Sequence, residues 1–146
     1  MVQPTPIASN PDGRRIITFG TFDLFHLGHV NVLGRAKALG DWLVVGVSSD
    51  ELNARKKGRR PYFSLEERLA IIADSRAVDE VFVEHALELK GEYITEHRAD
   101  VLVMGDDWQG RFDHFASLCE VVYLPRTPEI SSTQIITVVR AGASAA

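Results

Sequence analysis

Apolar and polar positions along this chain fall into two alternating textures. Short, nearly continuous runs rich in Val, Ile, Leu and Phe predict strands at Arg15–Phe19, Trp42–Val47, Glu80–Val83, Val101–Met104 and Val121–Leu124. Their apolar residues follow one another instead of alternating with polar ones, as expected of strands covered on both faces. Between them the apolar positions spread to helical spacing. Leu27–Leu39 carries Val30, Leu33 and Leu39 and stops before Gly40, a residue suited to a C-cap. Ser64-Leu65-Glu66-Glu67 is a capping-box start ahead of an apolar face of Leu69, Ile72 and Ala73. Further helices are predicted at Ala86–His97, around Phe112–Leu118 and from Ser131 to Arg140. Strands alternating with helices predict the α/β class: a single Rossmann-like domain whose five-stranded parallel sheet, ordered 3-2-1-4-5, has helices on both faces.

Length and composition narrow this picture. The chain has 146 residues, 45% of them hydrophobic and 25% charged, which suits one soluble globular domain over residues 14–140. Residues 1–13 hold three prolines and a turn signal at Asn10-Pro11-Asp12-Gly13, without the basic and apolar regions of a secretory signal, and are expected to be flexible. The small-residue tail 141–146 is expected to fray. No apolar run approaches the length of a membrane span. A net charge of −4 argues against a nucleic-acid binder. The lone Cys119 permits no internal disulfide, fits a cytoplasmic setting, and reads as a core filler.

Chemistry concentrates where strands give way to loops, because ligands of open α/β sheets bind beyond the carboxyl ends of the strands. The first such place is Gly20-Thr21-Phe22-Asp23-Leu24-Phe25-His26-Leu27-Gly28-His29. A helix beginning there offers free N–H groups and a partial positive charge to an anion. His26 and His29, three apart, share one face of its first turn. Gly28 between them leaves room for a phosphate to approach the backbone. No neighbouring cluster completes a metal site, so the pair reads as hydrogen-bond donors and the metal-ligand set as none.

Arg55-Lys56-Lys57-Gly58-Arg59-Arg60 places five cations in six positions after the second strand. Such a run is ordinarily a solvated loop; here it overhangs the same sheet edge and reads as a mobile cationic flap. Gly105-Asp106-Asp107-Trp108 follows the fourth strand at that edge. Its paired aspartates suit either magnesium or a purely architectural role. Arg126-Thr127-Pro128-Glu129-Ile130-Ser131-Ser132-Thr133 leads into the last helix, where hydroxyls and free N–H groups make a second anion seat. Glu129 places a carboxylate beside that seat.

The segment His26-Leu27-Gly28-His29 after a strand and Gly20-Thr21-Phe22-Asp23 resembles the HxGH motif of the cytidylyltransferase-type nucleotidyltransferases. Met104-Gly105-Asp106-Asp107-Trp108, Gly110-Arg111-Phe112-Asp113 and Tyr123-Leu124-Pro125-Arg126-Thr127 are similar to the bacterial glycerol-3-phosphate cytidylyltransferase family in particular. The resemblance covers about Ile16 to Arg140. It implies an enzyme that moves CMP from CTP to sn-glycerol 3-phosphate, giving CDP-glycerol and pyrophosphate, with cell-wall polymer biosynthesis as the implied fate of the product. Related readings are another polyol or sugar phosphate as acceptor, ATP as donor, or a nucleotide-binding regulator without turnover. His26, His29, Lys56 and Arg126 are implied as catalytic. Gly20, Thr21, Phe22, Asp23, Gly28, Gly105, Asp107, Trp108, Arg126, Thr127, Ile130, Ser131, Ser132 and Thr133 are implied around the nucleotide, joined by Lys57 or Arg59. Lys56, Arg68 and Lys90 are implied on the acceptor side, with Arg76 as a supporting match eight residues beyond Arg68. The family has glycine where Glu129 stands. Mg2+ is expected on the CTP triphosphate, and a homodimer is expected.

Overall fold

Each of the five predicted strands forms, and all are parallel: β1 (Arg15–Gly20), β2 (Trp42–Ser48), β3 (Glu80–Glu84), β4 (Val101–Gly105) and β5 (Glu120–Leu124). Their order is β3-β2-β1-β4-β5, and the register pairs Ile17 with both Val44 and Leu102. The computed structural model describes residues 13–128 and 130–145. Of the segment 1–13 expected to be flexible, residues 1–12 lie outside the described residues, as do Glu129 and Ala146.

Two apolar layers explain the continuous apolar strands. Successive strand side chains point to opposite faces. Ile16, Leu43, Val45, Val47, Val101 and Val103 pack on one side, with Leu33 and Ala36 of α1 (Leu27–Ala38) and Ile72 of α3 (Leu65–Ala73). Ile17, Phe19, Val44, Leu102 and Met104 pack on the other, with Tyr93 and Ile94 of α4 (Lys90–Glu96) and the buried Cys119. Burial raises the Cys119 thiol to about 11, consistent with a core filler.

Several helices depart from expectation. Residues 55–57 are not in a loop: they are the last turn of α2 (Asp50–Lys57). Ser49 caps it by accepting the Leu52 N–H at 3.1 Å, acidic residues open it, basic residues close it, and Gly58 ends it at φ 73. α1 ends on Leu39 with right-handed backbone and not on a Gly40 cap. Gly40 is small for another reason, because a Cβ there would lie 2.6 Å from the Arg14 carbonyl. The predicted helix 86–97 splits into a 3-10 turn, Leu87–Leu89, followed by α4, and the predicted helix near 112–118 is a 3-10 segment, Asp113–Ser117. α3 stops at Ala73, so Arg76 lies beyond the helix shared with Arg68. α5 (Ser132–Ala145) continues past Arg140 through residues expected to fray. No described helix is long and apolar enough to cross a membrane.

Candidate active site

A cleft of about 510 Å3 runs along the carboxyl edge of the sheet. It gathers Gly20, Thr21, Phe22, Asp23, His26, Gly28 and His29 from the β1–α1 connection, and Lys56, Lys57 and Arg59 from the end of α2 and beyond. Lys90, Gly105, Asp107 and Trp108 join them, as do Arg126, Thr127, Ile130, Ser131, Ser132 and Thr133. Segments up to about 110 positions apart in the chain thus face one space, because a parallel sheet delivers every strand's carboxyl end to the same edge.

The two histidines build the start of α1 as well as the cleft wall. His26 is the N-cap, and its Nδ1 accepts the Gly28 N–H at 3.0 Å; His29 Nδ1 accepts the His26 N–H at 3.2 Å. With both Nδ1 atoms acting as acceptors, each neutral ring carries its proton on Nε2. The rings stack at 3.8 Å between centroids, and Phe22 and Phe25 flank His29 at 5.4 and 5.5 Å. Burial, then the neighbouring His26, lowers the His29 pKa to about 4, and burial lowers that of His26 too. The pair is therefore neutral at pH 7. Gly28 is small for a structural reason: a Cβ there would meet the His26 ring at 2.8 Å. Phe22 and Leu24 hold left-handed backbone at φ 55 and 49, a local strain of the kind concentrated at functional loops.

Asp23 between them is an organiser. Its carboxylate accepts the N–H groups of Tyr62 at 2.8 Å and Phe63 at 2.9 Å, and its carbonyl accepts the Ser132 hydroxyl at 3.0 Å. One residue thus joins the β1–α1 connection, the segment after the basic run and the start of α5. The Thr21 hydroxyl donates to Asn53 Oδ1 at 2.7 Å, and Asn53 is itself fixed by donating to Ser48 and Ser49. Asn53 went unnoticed in the sequence, where a polar residue inside a polar helix carries no distinguishing signal.

Arg68 does not join the cleft. Its side chain is fully buried, donating to the carbonyls of Phe63, Thr21 and Ser48 at 3.1, 3.0 and 2.7 Å and to Asp50 Oδ1 at 2.7 Å. With its donors committed to the frame, it braces the site and has no free face for an acceptor phosphate. Lys90, by contrast, reaches the cleft although it is 3% exposed. It forms a buried ion pair with Glu84 and lies 4.6 Å from the centre of the Phe19 ring. Desolvation lowers the pKa values of Lys56 and Lys57. Glu84 opposes this at Lys56, whereas Arg59 adds to it at Lys57.

At the opposite end, Ser131 caps α5 by accepting the Gln134 N–H at 3.1 Å, while Ser132 is engaged with Asp23. The Thr127 hydroxyl accepts from Asn31 Nδ2 at 2.9 Å, a second residue that the sequence did not single out. Arg126 is exposed at the cleft rim. Among the described residues no three His, Cys, Asp or Glu side chains group as metal ligands.

Known proteins are similar to this chain in sequence and fold. A family model described as cytidylyltransferase-like matches residues 17–138. A glycerol-3-phosphate cytidylyltransferase of Bacillus subtilis (strain 168) is 52% identical over 122 residues, 84% of this chain and 94% of that protein. An ethanolamine-phosphate cytidylyltransferase of Arabidopsis thaliana is 42% identical over 96 residues, 65% of this chain and 23% of that protein. A solved lipopolysaccharide core biosynthesis protein from Thermoplasma volcanium GSS1 superposes with a TM-score of 0.67 at 29% identity, covering 79% of this chain and 98% of that one. With the model spanning most of the chain and the histidine-capped cleft at the expected sheet edge, the chain belongs to the cytidylyltransferase-like family.

Proposed function

We propose that this chain transfers the cytidylyl group of CTP to sn-glycerol 3-phosphate, forming CDP-glycerol and releasing pyrophosphate. One observation carries the mechanism: two neutral, stacked imidazoles whose Nδ1 atoms are taken by main-chain N–H groups, leaving Nε2–H donors for the cleft. The acceptor's phosphate oxygen is already ionised at pH 7, so the reaction needs position and charge stabilisation and no strong base. That oxygen attacks the α-phosphorus in line, the bond to the β-phosphate oxygen breaks, and pyrophosphate leaves. His26 and His29 donate to the α-phosphate as its charge spreads. Lys56 bridges acceptor and reacting centre, Lys90 adds charge on the acceptor side, and Lys57 serves the nucleotide. Arg126 and the N-terminus of α5 at Ser131, Ser132 and Thr133 seat the β- and γ-phosphates. Gly105, Asp107 and Trp108 wall the nucleoside. Mg2+ enters as part of the CTP substrate, held by its phosphates.

The 52% identity to a glycerol-3-phosphate cytidylyltransferase over most of both chains supports this choice of substrates. The proposal includes a cytoplasmic homodimer supplying an activated glycerol unit for cell-wall polymer synthesis. Light scattering that returns the mass of one chain would remove the dimer. Pyrophosphate release measured across the four nucleoside triphosphates and a panel of polyol and sugar phosphates tests the activity. The expected result is turnover with CTP and glycerol 3-phosphate well above every other pair; no pair above blank overturns the reading.

A further inference from the structure

Glu84, the last residue of β3, has no part in the mechanism above. It is 1% exposed, yet it lines the cleft. Its Oε2 receives the Lys90 ammonium, whereas Oε1 accepts no hydrogen bond from any described residue. No sealed side-chain oxygen among the described residues lacks a partner, so Oε1 keeps some accessible surface, on a residue that lines the cleft. Lys56 lines the same cleft, where the charges of Glu84 and Lys90 both act on it. The β3 end of the cleft therefore reads cation, carboxylate, cation, with one acceptor oxygen unused.

A buried ion pair can often be replaced by apolar packing without loss of stability, so packing alone does not account for this one beside a substrate space. The unused oxygen can only accept a hydrogen bond, and the hydroxyl groups of a polyol can supply one. Position agrees with this. β3 lies two strands from β1, about 10 Å from the histidine-bearing connection. Lys56, assigned above to the acceptor phosphate, lines the same cleft as Glu84, so the proposal below puts the acceptor's carbon chain at the β3 end. With Lys56 and Lys90 beside one carboxylate the cluster is net positive, which disfavours a cationic tail at the same place.

Resting on the glycerol 3-phosphate reading, we propose that Glu84 is a specificity-determining residue whose Oε1 accepts a hydrogen bond from an acceptor hydroxyl. Its test compares kcat/KM for glycerol 3-phosphate with that for propyl phosphate, which lacks both hydroxyls, in the wild type and in Glu84→Gln. The ratio is independent of how much of the variant is folded. Wild type favours glycerol 3-phosphate about a hundredfold, and Glu84→Gln lowers that ratio about tenfold or more, almost entirely in the glycerol 3-phosphate arm. If Glu84→Gln is insoluble, Glu84→Met combined with Lys90→Met replaces the pair by apolar groups, and the same fall in ratio is expected. Equal losses for both acceptors reduce Glu84 to a support for Lys90 and overturn the proposal. Efficient wild-type turnover of ethanolamine phosphate overturns it as well. Wild-type silence with every acceptor overturns the glycerol 3-phosphate reading and this proposal together, whereas turnover with an unchanged ratio overturns this proposal alone.

Discussion

His29 shows how one side chain of the cleft ties its structure to acidity. A proton on its Nδ1 would set N–H against the His26 N–H that this nitrogen now accepts. The folded pKa of about 4 lies below the 6.5 of an ordinary histidine, so on acidification the unfolded chain takes up its proton first. The stability this residue contributes is intact above pH 6.5 and is lost as pH falls toward 4. Thermal midpoints recorded across that window should fall in the wild type and fall less in His29→Asn; identical slopes would remove His29 as the cause. In turnover the same variant should lose about a hundredfold to a thousandfold in kcat, as for other single donors to developing charge. The histidines were readable from spacing and their helix-start position. The Nδ1 bonding that fixes their tautomer was not, since it depends on ring orientation within a strained loop.

Among the elements, α2 and the brace behind it decide where the cations stand. α2 has no apolar stripe, so periodicity missed it, although Ser49-Asp50-Glu51 at one end and Arg55-Lys56-Lys57-Gly58 at the other spell a capped helix with a complementary dipole. The strands were legible because burial on both faces leaves continuous apolar runs. The short 3-10 segments were not, since they pack aromatic side chains such as Phe112 and Phe115 without a repeating face. On its own Arg68 reads as a surface cation, and only the family resemblance placed it on the acceptor side. Its four hydrogen bonds into the frame assign it to structure. Arg68→Met leaves Asp50 and three carbonyls without their donor and should cost about 3–5 kcal/mol in urea unfolding. A variant of unchanged stability with only a raised acceptor KM would return Arg68 to the substrate.

For the whole molecule, parallel topology brings distant segments to one edge, and this much could be read from the order of elements. The coupling between the walls of the cleft could not. Asp23 bonds to the Tyr62–Phe63 segment and to Ser132, so the β1–α1 connection, the approach from the basic run and the start of α5 are held by one residue. Tyr62 adds a second link, with Arg59 stacked on its ring and Arg140 of α5 at 3.5 Å from its hydroxyl. CTP seated on α5 should therefore slow amide exchange both at the start of α5 and across residues 58–63. At a hundred times its Kd it should raise the unfolding free energy by about 2.7 kcal/mol. Protection confined to α5 would break the proposed coupling.

The capping role of His26 sets a limit on anyone who tries to make this protein tougher. Serine is a preferred N-cap and histidine is not, so a redesign driven by stability alone will replace His26. The resulting His26→Ser protein is expected to melt no lower than its parent and to make almost no product. Heat tolerance and turnover compete here for a single position, and a library screened only for survival at high temperature would enrich inactive enzyme.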